Sequence, residues 1–278
     1  MGARYPCAPV QLPRVIALDL DGTLLPASKE LTPRARRVLA DVQGRGCTVV
    51  LATGKFLHLA QTTAAELRLP TPVIALDGAR IGHGDGIDER TMPRDAIVEI
   101  LARHYEPHWP ALADCGRDSM LLSARDPGDL VQATRAWAIH SRVVDDMRPH
   151  LTGNPGLVCF YAPRAALLEI AASIEAAYPE LEVSVRTSGL ALGEARITLQ
   201  RRGVSKGAAL AELVDRLQVD RADVMAFGDW LNDLSMFEVA GTAVAMANAV
   251  EPVKAAADIV TEHDCDDDGV ARFLEGLV

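Results

Sequence analysis

Two acidic segments near opposite ends of the chain have residue types and spacings that suit chemistry. The first is Asp19-Leu20-Asp21-Gly22-Thr23, which directly follows the apolar run Val15–Leu18. Two carboxylates one residue apart in a loop can take different tasks, because one can attack as a nucleophile while the other, with a higher pKa, donates and later removes a proton. The structural alternative is an ordinary Asp- and Gly-rich turn after a strand.

The second segment is Gly228-Asp229-Trp230-Leu231-Asn232-Asp233, which follows another short apolar run. Asp229 and Asp233 lie four residues apart, so that in the first turn of a helix both can share one divalent cation. Helix capping is the alternative use of such acids, but a cap requires one acid and not two.

Two weaker features lie between these segments. Thr53-Gly54-Lys55 follows the apolar run Cys47–Leu51 and opens a predicted helix, where a hydroxyl and free backbone N–H groups suit a phosphate. Lys206 falls in the first turn of another predicted helix, a position that disfavours a cation unless an anion is present. Each feature alone is typical of a turn or a cap. All four together, in this order, favour phosphate chemistry.

The segments that must position these residues alternate between short apolar runs and helix-length amphipathic stretches. Short continuous apolar runs predict strands buried on both faces, as in a parallel sheet between two layers of helices. Ligands bind such a sheet at the carboxyl ends of its strands, so the acidic segments are expected to meet at one edge. The predicted strands are Val15–Leu18, Cys47–Leu51, Val73–Leu76, Val224–Phe227, Thr242–Ala245 and Ile259–Val260, and the predicted helices are Thr32–Gln43, Lys55–Leu67, Ser205–Leu217, Leu231–Val239 and Pro252–Ala257.

The middle of the chain is richer in Pro, Gly, Arg and His and predicts a second, α+β unit. We expect residues 1–81 and 195–278 to form the core, residues 82–194 to form an inserted cap, and Gly82–Gly86 to be the hinge between them. The predicted elements of the insert are strands at Ala111–Asp114, Leu157–Tyr161 and Leu181–Val185 and helices at Arg94–His104, Asp129–His140 and Arg164–Tyr178.

Composition limits the partners. The 278 residues include 28 Lys and Arg against 38 Asp and Glu, a formal charge of -10 that disfavours nucleic acid. No apolar run approaches the ~18 residues of a membrane span, and the five cysteines include no CxxC pair. These features predict a cytoplasmic protein with reduced thiols and no membrane partner.

The acidic run Asp264–Asp268 is interpreted as a solvated loop before the last helix, not as a calcium site.

The combined motifs resemble those of the haloacid dehalogenase-like (HAD) phosphohydrolases. The resemblance spans the whole chain and extends to the Cof-type branch, which carries a large α/β cap. It implies a Rossmann-like, doubly wound, three-layer α/β core with an inserted α+β cap. The segments that carry it are Asp19–Leu24, Thr53-Gly54, Ser205-Lys206-Gly207 and Gly228–Asp233, with Leu76–Ala79 similar to the family's Asn-Gly-Ala cap entrance and Ala243–Ala249 and Asp268–Ala271 similar to Cof-type segments.

The same resemblance implies the roles of individual residues. Asp19 would attack phosphorus, and Asp21 would protonate the leaving alcohol and then activate water. Thr53 and Lys206 would hold the phosphoryl group. The Mg²⁺ ligands would be the side chains of Asp19, Asp229 and Asp233 and the main-chain carbonyl of Asp21, and the substrate-binding set would be Thr53, Gly54, Lys55, Lys206 and Asn232.

Three residues depart from the family pattern and put the substrate preference in question. Lys55 stands where many Cof-type members have Arg, Asp77 stands in place of Asn, and Trp230 stands where a small residue is usual. Asp77 adds negative charge near an anionic substrate.

The sequence thus favours a Mg²⁺-dependent phosphatase, monomer or homodimer, that acts on a small phosphorylated metabolite such as a sugar phosphate. One alternative is a phosphomutase or phosphotransferase that passes the same aspartyl-phosphate to a second hydroxyl. Another is a non-catalytic regulator that binds a phosphorylated ligand or is phosphorylated on Asp19. A receiver of that kind requires neither Asp21 nor a cap of more than about a hundred residues.

Overall fold

Two β-sheets organise the chain in the computed structural model, which describes residues 11–68, 71–84, 86–106, 108–115, 119–123, 140–187 and 194–278. Each sheet belongs to one of two compact units. The first unit contains the described residues up to Asp88 together with Ser205–Val278, and the second contains those of Glu89–Val204. The chain therefore leaves the first unit once and returns to it.

The described elements are the following. The strands are β1 (Val15–Leu18), β2 (Thr48–Ala52), β3 (Val73–Ala75), β4 (Arg80–His83), β5 (Gly86–Glu89), β6 (Ala111–Asp114), β7 (Ser119–Ser123), β8 (His140–Val143), β9 (Val158–Ala162), β10 (Leu181–Thr187), β11 (Ala195–Arg201), β12 (Val224–Gly228), β13 (Thr242–Ala245) and β14 (Ile259–Val260). The α-helices are α1 (Pro33–Gly44), α2 (Leu57–Leu67), α3 (Arg94–His104), α4 (Arg164–Ala177), α5 (Lys206–Arg216), α6 (Leu234–Phe237), α7 (Glu251–Ala256) and α8 (Gly269–Glu275).

The first unit is built on an eight-stranded sheet in the order β14-β13-β12-β1-β2-β3-β4-β5. The strands from β14 to β3 pair in parallel, and β4 is antiparallel to β3. All residues of β1 and β12 are buried, which agrees with strands covered on both faces. Because β1 and β12 are parallel neighbours, the residues that follow them emerge at the same edge of the sheet.

Helices with clear start signals flank this sheet. Thr32 caps α1 by accepting a hydrogen bond from the Ala35 N–H at 3.0 Å, and Pro33 follows at the first helical position. Ser205 caps α5 in the same way through the Ala208 N–H at 3.0 Å. Both helices bury an apolar face, and each fully buried Leu or Val contributes roughly 1.5–3 kcal/mol.

The second unit contains a six-stranded sheet in the order β10-β11-β9-β6-β7-β8. Its pairs are antiparallel except for β7 and β8. Helix α4 packs on β10 and β11, and α3 contributes Ile97 and Ile100 to the same apolar core. Phe160 stacks on Trp109 with ring centroids 6.0 Å apart and anchors this core.

The structure corrects the predicted borders of the insert. Strands β4 and β5 extend the first sheet, so the two ends of the predicted hinge, Gly82 and Gly86, lie in that sheet and the first unit continues to Asp88. Strand β11 pairs with β9 and β10, so residues 195–204 belong to the second unit and not to the core. The physical reason is visible in β11, where Ala195, Ile197 and Leu199 are buried in strict alternation, the pattern of a half-covered antiparallel strand.

Two predicted helices also differ. Leu231–Val239 is one turn of 3-10 helix at Leu231–Asp233 followed by the short α6. The predicted helix Asp129–His140 lies outside the described residues except for its last member, and His140 begins β8 because it pairs with Ser119 of β7. The other predicted elements are confirmed with shifts of one or two residues at their ends. Among the described residues, no helix is long and apolar enough to cross a membrane.

Candidate active site

Asp19 lies at the carboxyl end of β1, where the chain turns sharply. Its N–H donates to the carbonyl of Phe227 at 3.2 Å, and the residue is only 5% exposed. Gly22 permits the turn because its φ is +87°, and a Cβ there would lie 2.4 Å from Oδ2 of Asp229. Thr23 Oγ1 donates to Asp229 Oδ1 at 3.0 Å. The loop after β1 and the loop after β12 are thus held in direct contact.

Three carboxylates converge between these loops. One oxygen of each of Asp19, Asp229 and Asp233 lies within 4.8 Å of the others. Asp233 is fully buried, and its Oδ2 accepts the backbone N–H groups of Asp229 and Trp230 at 3.0 Å. Clustered carboxylate oxygens are the ligands that hard divalent cations prefer. The donor set therefore fits a divalent metal ion.

Lys206 joins the same cluster from the start of α5. Its Nζ donates to Asp19 Oδ1 at 2.6 Å and to Asp233 Oδ1 at 2.7 Å, and its side chain is 1% exposed. Burial alone would lower the pKa of Lys206, but the charges of Asp19, Asp233 and Asp77 raise the pKa above its ordinary value. The ammonium therefore remains protonated at neutral pH.

Two acids of the cluster, Asp19 and Asp229, have pKa values above the ordinary value of an aspartate. Burial raises the pKa of Asp19 to about 7; Lys206 opposes this shift, and Asp233 adds to it. Burial also raises the pKa of Asp229, although the hydrogen bond from Thr23 works against that shift. Protons and cations therefore compete for the carboxylate oxygens of Asp19 near neutral pH.

The Asp21 side chain has two lysine partners. Its Oδ1 lies 2.8 Å from Lys55 Nζ and 2.9 Å from Lys29 Nζ. Burial would raise the pKa of Asp21, but the hydrogen bonds and charges of Lys55 and Lys29 lower the pKa below its ordinary value. Asp21 is therefore a carboxylate in this arrangement, a form that can accept a proton. The expectation that the proton-donating member of the Asp19–Asp21 pair has the higher pKa is wrong here, because the two lysines lower the pKa of Asp21 while burial raises that of Asp19.

The loop after β2 presents Thr53, Gly54 and Lys55 to the same edge of the sheet. Thr53 is buried, and its Oγ1 accepts the Lys55 N–H at 3.1 Å. The Thr53 carbonyl accepts the N–H of Asp77 at 3.1 Å, and Asn232 Nδ2 donates to Asp77 Oδ1 at 2.8 Å. Asp77 thus links the Thr53–Lys55 loop to Asn232.

Gly207 explains how Lys206 reaches the carboxylates. A Cβ at Gly207 would lie 1.9 Å from the carbonyl oxygen of Ser235, so only glycine allows α5 to approach α6 this closely. The Gly207 N–H also donates to Ser235 Oγ at 3.1 Å. The Lys-Gly pair is therefore a requirement of close helix packing as well as of charge.

The structure brings most of the predicted site residues into two linked groups. Asp19, Asp229, Asp233 and Lys206 form the first group, and Asp21 with Lys55 forms the second. Thr53, Gly54 and Asn232 adjoin Asp77. The main-chain carbonyl of Asp21 stays a predicted ligand.

Three residues at the site have no role in the prediction. Thr23 and Lys29 contact Asp229 and Asp21, as described above. Asn248 Nδ2 donates to the carbonyl of Gly22 at 2.8 Å, and its Oδ1 accepts the Cys265 N–H. Thr23 belongs to the first motif, and its spacing gave a signal. Asn248 lies in the Ala243–Ala249 segment that resembles the Cof-type branch, but no role was predicted for it. Lys29 is a single polar residue in a loop and gave no signal.

The acidic run Asp264–Asp268 forms the loop before α8, as predicted. Two of its side chains also accept hydrogen bonds from a loop near the start of the chain. Asp266 Oδ1 accepts the Ala27 N–H at 2.7 Å, and Asp268 Oδ1 accepts the Thr32 hydroxyl. These bonds hold both ends of the segment that carries Lys29. The described cysteines, Cys47, Cys115, Cys159 and Cys265, form no disulfide with one another, and Cys7 lies outside the described residues.

The family profile of haloacid dehalogenase-like hydrolases matches residues 16–274. The chain belongs to the haloacid dehalogenase-like hydrolases. The predicted resemblance, including that to the Cof-type branch, is thereby confirmed, and so is the doubly wound α/β core with an inserted unit.

Named relatives place this HAD-like hydrolase among phosphatases. It is 30% identical to the pyridoxal phosphate phosphatase YbhA of Escherichia coli (strain K12), with 94% of this chain and 97% of that protein covered. It is 27% identical to the HMP-PP phosphatase of Serratia proteamaculans (strain 568), with 94% of each covered. A solved haloacid dehalogenase-like hydrolase from Bacteroides thetaiotaomicron superposes with a TM-score of 0.81 at 27% identity, covering 96% of this chain and 100% of that one. The protein is a phosphoric monoester hydrolase.

Proposed function

We propose that this hydrolase is a Mg²⁺-dependent phosphatase that transfers the phosphoryl group of a small phosphorylated metabolite, such as a sugar phosphate, first to Asp19 and then to water. The observation that carries the proposal is the position of the Asp19 carboxylate. It is buried, it lies beside Asp229 and Asp233, and it accepts a hydrogen bond from Lys206. The relatives named above add support, since their names specify small phosphorylated compounds.

Charge neutralisation is the first requirement of this chemistry. A carboxylate and a phosphate dianion repel each other, so attack by Asp19 requires cations on both. Lys206 supplies one positive charge. The side chains of Asp19, Asp229 and Asp233 and the Asp21 carbonyl would hold Mg²⁺, which when bound supplies the remaining charge and orients the phosphoryl oxygens.

The first half-reaction forms a bond between Asp19 and phosphorus and breaks the bond from phosphorus to the leaving alcohol. Thr53 Oγ1, the Gly54 N–H and Lys206 Nζ hold the phosphoryl oxygens during this transfer. Asp21 gives a proton to the departing oxygen. Phosphoryl oxygens that engage Lys55 remove one of the two cations that keep Asp21 ionised, which favours the protonated acid.

The second half-reaction releases phosphate. Asp21, now a carboxylate, takes a proton from a water molecule, and the water oxygen attacks phosphorus. The bond from phosphorus to Asp19 breaks, which regenerates the Asp19 carboxylate and releases inorganic phosphate. The ion pair of Asp21 with Lys29 suits this half, because it favours the ionised form.

The test is a screen of the purified protein against a panel of phosphorylated metabolites, with and without a chelator, in isotopically labelled water. Hydrolysis puts solvent oxygen into the phosphate, whereas transfer to a second hydroxyl yields a new phosphate ester. Asp19→Asn should lose about a thousandfold or more of the turnover while it stays folded. Asp88→Asn removes the same charge at a surface ion pair and is the matched control. Near-normal hydrolysis by Asp19→Asn would overturn the proposal.

A further inference from the structure

Asp77 places a carboxylate where the groups proposed to hold the phosphoryl oxygens meet. Its N–H bonds to the carbonyl of Thr53, and its Oδ1 accepts from Asn232. A Cβ built on Gly54 would lie 3.3 Å from each of its carboxylate oxygens. Asp77 also contributes to the charge that raises the pKa of Lys206. Four groups proposed to contact the phosphate therefore surround this one acid.

The backbone holds Asp77 in an uncommon conformation. Leu76 and Asp77 have φ values of 48° and 53°, in the left-handed region that most residues avoid. Main-chain bonds from Leu76 to the Lys55 carbonyl and from Asp77 to the Thr53 carbonyl fix the turn against the Thr53–Lys55 loop. Gly78 packs on Ser205 so closely that a Cβ would lie 2.3 Å from its carbonyl. The carboxylate is therefore aimed by the fold.

Only one Asp77 oxygen is engaged within the part of the chain that the structure describes. Asn232 occupies Oδ1, and no described donor pairs with Oδ2. The side chain is half-buried, so Oδ2 remains within reach of a ligand. An acid beside a phosphate site repels a second anionic group and attracts a donor or a cation.

We infer that Asp77 determines specificity: it selects phosphomonoesters that carry an amine or another cationic hydrogen-bond donor close to the phosphoryl group, and it rejects those with a second anionic group there. This inference rests on the proposed function, because it takes Thr53, Gly54, Lys206 and Asn232 as the phosphate-binding groups. The phosphate itself is held by Lys206 and the metal site. Asp77 interacts electrostatically with the charged group that the ester carries next to the phosphate.

The test measures binding without turnover, in the Asp19→Asn background with Mg²⁺ present. Three two-carbon phosphomonoesters differ only in the charge of the distal group: phosphoethanolamine, ethylene glycol monophosphate and phosphoglycolate. Dissociation constants are measured by calorimetry with and without the further change Asp77→Asn. Asn tolerates the left-handed conformation and can still accept from Asn232, so this change removes the charge and preserves the turn.

Asp77→Asn is expected to tighten phosphoglycolate binding and to weaken phosphoethanolamine binding, so that the ratio of their dissociation constants changes by about tenfold or more. Ethylene glycol monophosphate should change least. The control Asp88→Asn, in the same background, removes an equal charge from an exposed pair with Arg216 and should leave the ratio within about twofold.

An unchanged ratio would overturn the inference. An equal change in all three dissociation constants would also overturn it, because it would show that Asp77 acts only by holding Asn232. The proposed function fails by a separate result, retained hydrolysis in Asp19→Asn. In that case the three esters are turned over, and the effect of Asp77→Asn is read instead from the ratio of their kcat/KM values.

Discussion

Lys206 Nζ lies 2.6 Å from Asp19 Oδ1, a contact between residues 187 positions apart in sequence. The same ammonium reaches Asp233 at 2.7 Å. One buried cation therefore connects the start of α5 to the loops after β1 and β12. Both the stability and the reactivity of the site depend on this cation.

Replacing Lys206 with Met should destabilise the metal-free protein by about 3 kcal/mol, because two buried carboxylates lose their cation. Magnesium should restore part of this loss, since it binds the same oxygens in the native state only. Urea unfolding with chelator or with magnesium measures both effects. Lys254→Met is the matched control, because its ion pair with Glu251 is long and exposed. Equal stability of the Lys206 variant and its parent would contradict the expectation.

Metal binding should weaken as the pH falls. Asp19 has a pKa of about 7 in the folded protein against an ordinary value of 3.8. Between these two pH values the native state binds a proton at Asp19 and the unfolded chain does not. The contribution of Asp19 to the stability of the metal-free protein is therefore present at low pH and is lost as the pH rises through about 7. A cation must displace that proton, so the increase in melting temperature caused by magnesium should grow between about pH 6 and about pH 8. A constant increase across this range would contradict the assignment.

Asp21→Asn should slow turnover according to the leaving group. An alkyl alcohol requires a proton as it departs, whereas a nitrophenolate does not, so the loss should be about a hundredfold or more for an alkyl phosphate and clearly smaller for nitrophenyl phosphate. Initial rates on both substrates give the ratio. An equal loss on both substrates would argue against Asp21 as the general acid.

Gly207→Ala should lower stability by about 1–3 kcal/mol and reduce turnover, because the added Cβ would collide with the Ser235 carbonyl and force α5 away from α6. Gly44→Ala is the matched control in α1. A Cβ there meets nothing within 4 Å, and the change should stabilise by about 0.4–1 kcal/mol. Denaturant unfolding and nitrophenyl phosphate hydrolysis measure the two effects. If Gly207→Ala left both stability and turnover unchanged, the contact between α5 and α6 would relax at no cost in free energy.

The core could be predicted from sequence because its signals are local and repeated. Val15–Leu18 and Val224–Phe227 are apolar runs too short for helices, which predicts strands with both faces covered, and parallel pairing places Asp19 and Asp229 at one edge. Strand β11 was missed because its alternating pattern is weaker than a continuous run, and that error moved the predicted border of the insert.

The contacts within the site were beyond prediction for a different reason. Lys206 can bridge Asp19 and Asp233 because α5 approaches α6 closely. A single glycine, Gly207, permits this approach, and no hydrophobic periodicity in the sequence indicates it. The partners of Asp21 follow from a turn in which Lys29 has a φ of 62°, and its sequence shows only a solvated loop.

The hydrogen bonds from Ala27 to Asp266 and from Thr32 to Asp268 have a consequence for biosynthesis. A nascent chain that has emerged from the ribosome only as far as Arg201 carries Asp19, Asp21 and Thr53 but lacks Lys206, Asp229, Asp233 and the loop around Asp266. The site can therefore be completed only after the loop around Asp266 has been synthesised and closes on a segment made 239 positions earlier.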